Sequence, residues 1–137
     1  MDFDPATGKL TTVSADRILA RAESLGLKIV WVLETHAHAD HLSAAQYLKQ
    51  QLGGQVAIGA GIVAVQAHFA QVFDLGPQFA ADGRQFDRRL VDGQILELGG
   101  LSVAVIGTPG HTPDGVSYRV GDAVLIGDTL FAPDVGT

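Results

Sequence analysis

The chain has no cysteine, one methionine, one tryptophan and nine lysines and arginines against fifteen aspartates and glutamates. Each shortage excludes something. Without thiols there is no disulfide framework and no zinc–thiolate site, a composition that fits the cytoplasm. A net charge of −6 disfavours an electrostatic hold on phosphate backbones, so nucleic acid is not an expected partner. No apolar run approaches membrane-spanning length, and Met1-Asp2-Phe3-Asp4-Pro5 lacks the basic and apolar regions of a signal peptide. A cytoplasmic protein with no membrane contact is the expectation. Neither a solenoid-type repeat nor a low-complexity segment interrupts the chain.

What is present is apolar residue and glycine. At 137 residues the chain is expected to form one domain, 1–137, large enough for a real core. Hydrophobic residues make up 47% before the 17 glycines are counted, above the usual globular fraction, and a packing partner outside the chain is one cause of such an excess. Asp4-Pro5-Ala6-Thr7-Gly8 reads as a turn. Ser14 reads as the cap of a helix over Ala15–Leu25, stopped by Gly26, with Ile18, Leu19, Ala22 and Leu25 on one apolar face. Ile29–Leu33 is short, branched and continuously apolar, the pattern of a strand buried on both faces. Leu42–Leu52 reads as a helix and Gln55–Ile58 as a strand, a β-loop-α-β progression. A further helix follows over Ile62–Phe73. From Asp74 to Asp92 the pattern weakens into a long surface loop. Hairpins then follow: Gln94–Leu98 with Leu101–Ile106, and Val116–Val120 with Ala123–Ile126.

The chemistry concentrates at strand ends. His36-Ala37-His38-Ala39-Asp40-His41 follows the first strand and sets four metal-ligand side chains within six residues, imidazole and carboxylate donors that suit Zn or Fe(II). Thr108-Pro109-Gly110-His111-Thr112-Pro113 follows Leu101–Ile106, and Gly127-Asp128-Thr129-Leu130-Phe131 follows Ala123–Ile126. In packed sheets these loops converge on one rim, bringing His111 and Asp128 towards His36, His38, Asp40 and His41. Residues two apart in an extended segment point the same way, so His36 and His38 can face one ion, while Asp40 and His41, entering a helix, face a second position. Taken alone, His111 is a Pro-Gly turn residue and Asp128 a turn former or cap. Beside the first histidine motif the turn reading of His111 gives way to ligation, and the order and flanks of the Asp128 loop favour the same for Asp128. His68 has no partner motif and reads as a surface or packing residue. Trp31 and Phe69 read as core, and Tyr118 as structural.

The run His36 to His41 matches the HxHxDH hallmark of the metallo-β-lactamase superfamily at every specified place. Gly110-His111 and Gly127-Asp128 match its later signatures in order, so the resemblance spans nearly the whole chain. The flanking text, Leu33-Glu34-Thr35-His36, Asp40-His41-Leu42-Ser43-Ala44-Ala45, Thr108-Pro109-Gly110-His111-Thr112 and Gly127-Asp128-Thr129-Leu130-Phe131, is most similar to persulfide dioxygenases and to bacterial β-lactamase-like hydrolases of sulfur-response operons. The resemblance implies an α/β fold, the αββα sandwich, here incomplete at both ends. Relatives carry an opening strand pair before the position of Met1 and a further histidine in the C-terminal third, so a fragment is expected. Strands missing from it would leave sheet edges open to pairing with a second copy, a homo-oligomer. The resemblance further implies a single Fe(II) held by His36, His111 and Asp128. His38, Asp40 and His41 then serve catalysis by orienting ligands and water through hydrogen bonds. The partners implied are a small thiol persulfide, commonly glutathione persulfide, and O₂, with sulfite as product. The alternatives are a hydroxyacylglutathione thioesterase or related hydrolase using two metal ions such as Zn, and a non-catalytic truncated domain.

Overall fold

The computed structural model describes residues 1–37 and 42–132. The chain forms two compact units, one made of residues 1–33 and 38–56, the other of 34–37 and 57–137. Among the described residues no helix is long and apolar enough to cross a membrane.

The first unit opens with a hairpin, β1 (Asp2–Asp4) paired antiparallel with β2 (Lys9–Thr11), where the sequence signals only the turn between them. Asp4 shapes that turn, accepting from Ala6 N–H at 3.0 Å and Thr7 Oγ1 at 2.6 Å. The Thr7 hydroxyl and then the Ala6 amide hold its carboxyl below the ordinary range. Helix α1 (Val13–Ser24) begins two residues before the expected start, with Thr12 in place of Ser14 at the N-cap position. The reason is Asp2, whose Oδ2 accepts the Ser14 N–H at 2.9 Å and so satisfies a first-turn amide from outside the helix. Its other end is a Schellman motif: Gly26 takes φ +62°, Leu27 N–H reaches Ala22 O at 2.9 Å, and Gly26 N–H reaches Glu23 O at 2.9 Å. Of the expected apolar face of α1, Ala22 is buried and Leu19 half-buried, while Ile18 and Leu25 stay exposed and Ala15 is buried instead. Strand β3 (Trp31–Leu33) is half-buried throughout, not buried on both faces. Helix α2 (Ala45–Leu52) starts three residues after the expected Leu42, with Ser43 Oγ accepting the Ala45 N–H at 2.9 Å. Tyr47 Oη on α2 donates to Asp16 Oδ1 on α1 at 2.6 Å.

Strand β4 (Gln55–Gly59) starts in the first unit, where Gln55 N–H donates to Val30 O, and ends in the second. There Ala57–Gly59 pairs in parallel with β5 (Arg88–Leu90), a strand inside the stretch expected to be loop. Helix α3 (Ile62–Val72) buries Ile62 and Val65 against Ile58, with Ala37, Phe69 and Phe86 packed around them. His68 is exposed on this helix, its ring edge-on to Phe69 at 5.2 Å. The rest is an antiparallel meander of β6 (Ile95–Leu98), β7 (Leu101–Gly107), β8 (Val116–Val120) and β9 (Ala123–Leu125). Its register places Leu96, Val103, Val105, Val116 and Tyr118 on one face. All five are buried, and removing such side chains from water is the main source of stability for a sheet of this kind.

Candidate metal centre

The site begins with four residues, Glu34–Ala37, that follow β3 but belong to the second unit. They are fixed almost one by one. Glu34 N–H donates to Ala57 O at 2.9 Å, and Glu34 O accepts from Tyr118 Oη at 2.6 Å. Thr35 O accepts from Val116 N–H at 2.9 Å, and Ala37 N–H donates to Asp114 Oδ2 at 3.0 Å. A backbone so held can aim a side chain, and the one it aims is His36, whose Nδ1 lies 3.1 Å from Thr35 Oγ1. Tyr118 carries much of this order. It is 1% exposed, and burial pushes its hydroxyl well above the ordinary tyrosine range, so it acts as a neutral donor. Replacing it by phenylalanine removes only that bond and is expected to lower stability by about 1 kcal/mol, read by urea denaturation.

His111 stands on the loop between β7 and β8. Thr108 N–H bonds to Gly115 O at 2.9 Å and closes the loop at its base. Asp128 lies in a short 3₁₀ turn, Gly127–Thr129, after β9. Gly127 takes φ +52°, and a Cβ there would collide with the Thr35 hydroxyl. Only glycine lets the Asp128 turn come this close to the His36 segment. A chain of hydroxyls joins turn and loop: Thr129 Oγ1 donates to Thr108 Oγ1 at 3.1 Å, and Thr108 Oγ1 is 3.1 Å from Ser117 Oγ.

These three elements bring His36, His111 and Asp128 together, one ligand atom from each lying within 4.8 Å of the others. Asp128 Oδ2 is 3.5 Å from His111 Nε2 and 3.7 Å from His36 Nε2. Ligands bonded at roughly 2.1 Å to one ion stand roughly 3 to 3.5 Å apart, so these atoms are too far apart for direct hydrogen bonds and would need to draw in slightly to close on one ion. The two imidazoles meet edge to face, centroids 5.2 Å apart at 89°. They line, with Asp128, Thr35, Thr108 and Thr112, a cavity of about 10 Å³, about the size of one water-sized sphere. The cluster can hold one ion by two imidazoles and a carboxylate. His38, Asp40 and His41 lie outside the described residues.

Two residues at this site escape sequence reading. Tyr118 reads from the sequence as a structural strand residue, and only the fold shows its hydroxyl on the Glu34 carbonyl. Asp114 follows Pro113 in a loop, where an aspartate is an ordinary turn former; no sequence signal distinguishes it.

Comparison with known proteins agrees over nearly the full length. The family profile of the metallo-beta-lactamase superfamily matches residues 3–137. A probable metallo-hydrolase of Burkholderia pseudomallei is 50% identical over 147 residues, covering 100% of this chain and 50% of the relative. Glyoxylase B2 of Dictyostelium discoideum is 44% identical over 139 residues, covering 100% of this chain and 48% of its own. Among solved structures, ETHE1 from Myxococcus xanthus is 28% identical with a TM-score of 0.67, over 89% of this chain and 45% of that one. The chain thus spans about half the length of these relatives.

Proposed function

Because the chain belongs to the metallo-beta-lactamase superfamily and carries its mixed α/β fold, we propose that it is the metal-binding part of an iron-dependent persulfide dioxygenase. The observation that carries this reading is the ligand set, with His36, His111 and Asp128 around a cavity of about 10 Å³. Two imidazoles and one carboxylate are the donor set of a mononuclear Fe(II) site of the facial type, which supports this reading. The motif text and the likeness to ETHE1 support the same reading. When bound, iron would supply open coordination positions where a substrate sulfur and O₂ can sit side by side.

The chain's own residues hold and orient. His36 and His111 present Nε2 as ligand atoms, and Asp128 contributes a carboxylate oxygen beside them. Thr112 Oγ1, buried on the cavity wall and without a hydrogen-bond partner among the described residues, can donate a hydrogen bond to a bound sulfur or water. His38, Asp40 and His41 are proposed to orient ligands and water around the same ion. The substrate is a small thiol persulfide such as glutathione persulfide. Its outer sulfur is oxidised to sulfite by O₂, with the third oxygen from water, and the thiol is returned.

The test is Fe(II) reconstitution without air, followed by glutathione persulfide and O₂. One iron per chain, O₂ uptake and matching sulfite release are the expected results. The names of two relatives, a probable metallo-hydrolase and Glyoxylase B2, favour a second reading, a metal-dependent hydrolase, which the family resemblance would make a binuclear enzyme acting on a glutathione thioester. Two metal ions per chain with thioester cleavage and no O₂ uptake would sink the dioxygenase in its favour.

A further inference from the structure

Asp114 is 2% exposed and is not among the three clustered ligands. Its Oδ2 accepts the Ala37 N–H at 3.0 Å, while its Oδ1 is buried without a hydrogen-bond partner among the described residues. A carboxylate so placed is costly, and packing alone does not call for one. The surroundings are shaped to receive it. A Cβ on Gly59 would overlap the Asp114 carbonyl oxygen, and one on Gly61 would stand 2.7 Å from Asp114 Cα, so two glycines flanking Ala60 leave room for this stretch of backbone. Gly61 is also the N-cap residue of α3, where the helix dipole favours a negative group.

We infer that Asp114 is the positioning residue of the metal centre, a carboxylate clasp that sets where His36 points relative to His111. The peptide N–H it grips belongs to Ala37, so the bond fixes the peptide plane between His36 and Ala37 and with it the backbone from which the His36 ring projects. Asp114 stands three residues after His111 in the same loop. One loop therefore supplies one ligand and holds the other, and of the bonds that fix the Glu34–Ala37 segment this one comes from a side chain of the His111 loop itself. The carboxylate is suited to this because a charged acceptor makes a stronger bond to N–H than a neutral one. The inference rests on the reading of His36 and His111 as ligands.

The test compares the wild type with Asp114→Ala and Asp114→Asn, and with Val105→Ala as a core-destabilised control remote in role. Two quantities are read: hydrogen exchange at the Ala37 amide in metal-free protein, and affinity for Zn(II) and for Fe(II), each by competition with a chromophoric chelator. Asp114→Ala is expected to speed Ala37 exchange at least tenfold and to weaken metal binding at least tenfold. Asp114→Asn, whose amide oxygen can still accept, should fall between. Val105→Ala should lower Tm and leave metal affinity unchanged. Wild-type metal affinity in Asp114→Ala, or unchanged Ala37 exchange, would overturn the clasp. If the wild type binds neither metal, the functional reading fails on its own, while the Ala37 exchange comparison still decides whether Asp114 holds the His36 segment.

Discussion

Replacing His111 by alanine is expected to weaken metal binding by well over 100-fold. That exceeds the 10- to 100-fold that loss of an outer hydrogen-bond partner costs, because a bond to the ion itself is removed. His36 and Asp128 remain, but two ligands 3.7 Å apart no longer enclose the ion. Stability reports the same loss. A metal that binds only the folded chain stabilises it by about 4 kcal/mol at roughly 1,000 times its Kd. Zn(II) should therefore raise the Tm of the wild type and leave that of His111→Ala where it was. His68→Ala is the matched control, since His68 is exposed on α3 and lies outside the three-ligand cluster. Isothermal titration and thermal melts with and without Zn(II) decide the matter. An unchanged Zn(II) shift in His111→Ala would remove this residue from the ligand set.

The second large effect comes from one added methyl group. Gly59 ends β4 fully buried, and a Cβ there would overlap the backbone oxygen of Asp114 and stand 3.0 Å from Val116 Cγ1. A backbone atom cannot swing aside as a flexible side chain can, so Gly59→Ala must shift either β4 or the His111 loop. A loss of about 3 kcal/mol is expected, at the upper end of overpacking penalties. Because the displaced loop carries both His111 and Asp114, metal affinity should fall with stability. Gly110→Ala, next to His111 but with open space around its Cβ position, should stay within about 0.5 kcal/mol of wild type. Urea denaturation of both variants measures the contrast. Equal stability of the two would show that the β4 approach is looser than the structure has it.

Much of this fold was legible wherever local signals were strong. Helix α3 was expected over Ile62–Phe73 and spans Ile62–Val72, and β8 has the expected bounds, because apolar runs there are closed by turn residues. The misses share a cause. β5 is three residues long, two of them arginine, and only Leu90 is buried. It is a strand because Ala57–Gly59 lies alongside it, a non-local fact that its own residues do not announce. The β1–β2 hairpin is likewise short and exposed, with Phe3 and Leu10 open to solvent. On α1, spacing chose Ile18, Leu19, Ala22 and Leu25, whereas packing buries Ala22 together with Ala15 and leaves Ile18 and Leu25 exposed. At the site, the placement of three loops after apolar strands made His36, His38, Asp40, His41, His111 and Asp128 candidates together, and the family resemblance singled out His36, His111 and Asp128, which the fold brings within reach of one another. The residues that hold them could not be picked out, since a buried hydroxyl or carboxylate acquires its role from partners elsewhere in the chain.

The hydrogen bonds on the Glu34–Ala37 segment also impose an order in time. Ala37 and its acceptor are 77 residues apart in sequence, and Glu34 and Tyr118 are 84 apart. Contacts of such separation close large loops and form late, after local hairpins have already lowered the entropy of the chain between them. During synthesis, His36 emerges long before anything exists to hold it, and the aspartate that would share its ion is nearly the last described residue to appear. The centre therefore cannot serve as a nucleus around which the chain folds. An ion held by His36, His111 and Asp128 would thus be taken up late, as a seal on a meander already in register whose distant strands have found one another.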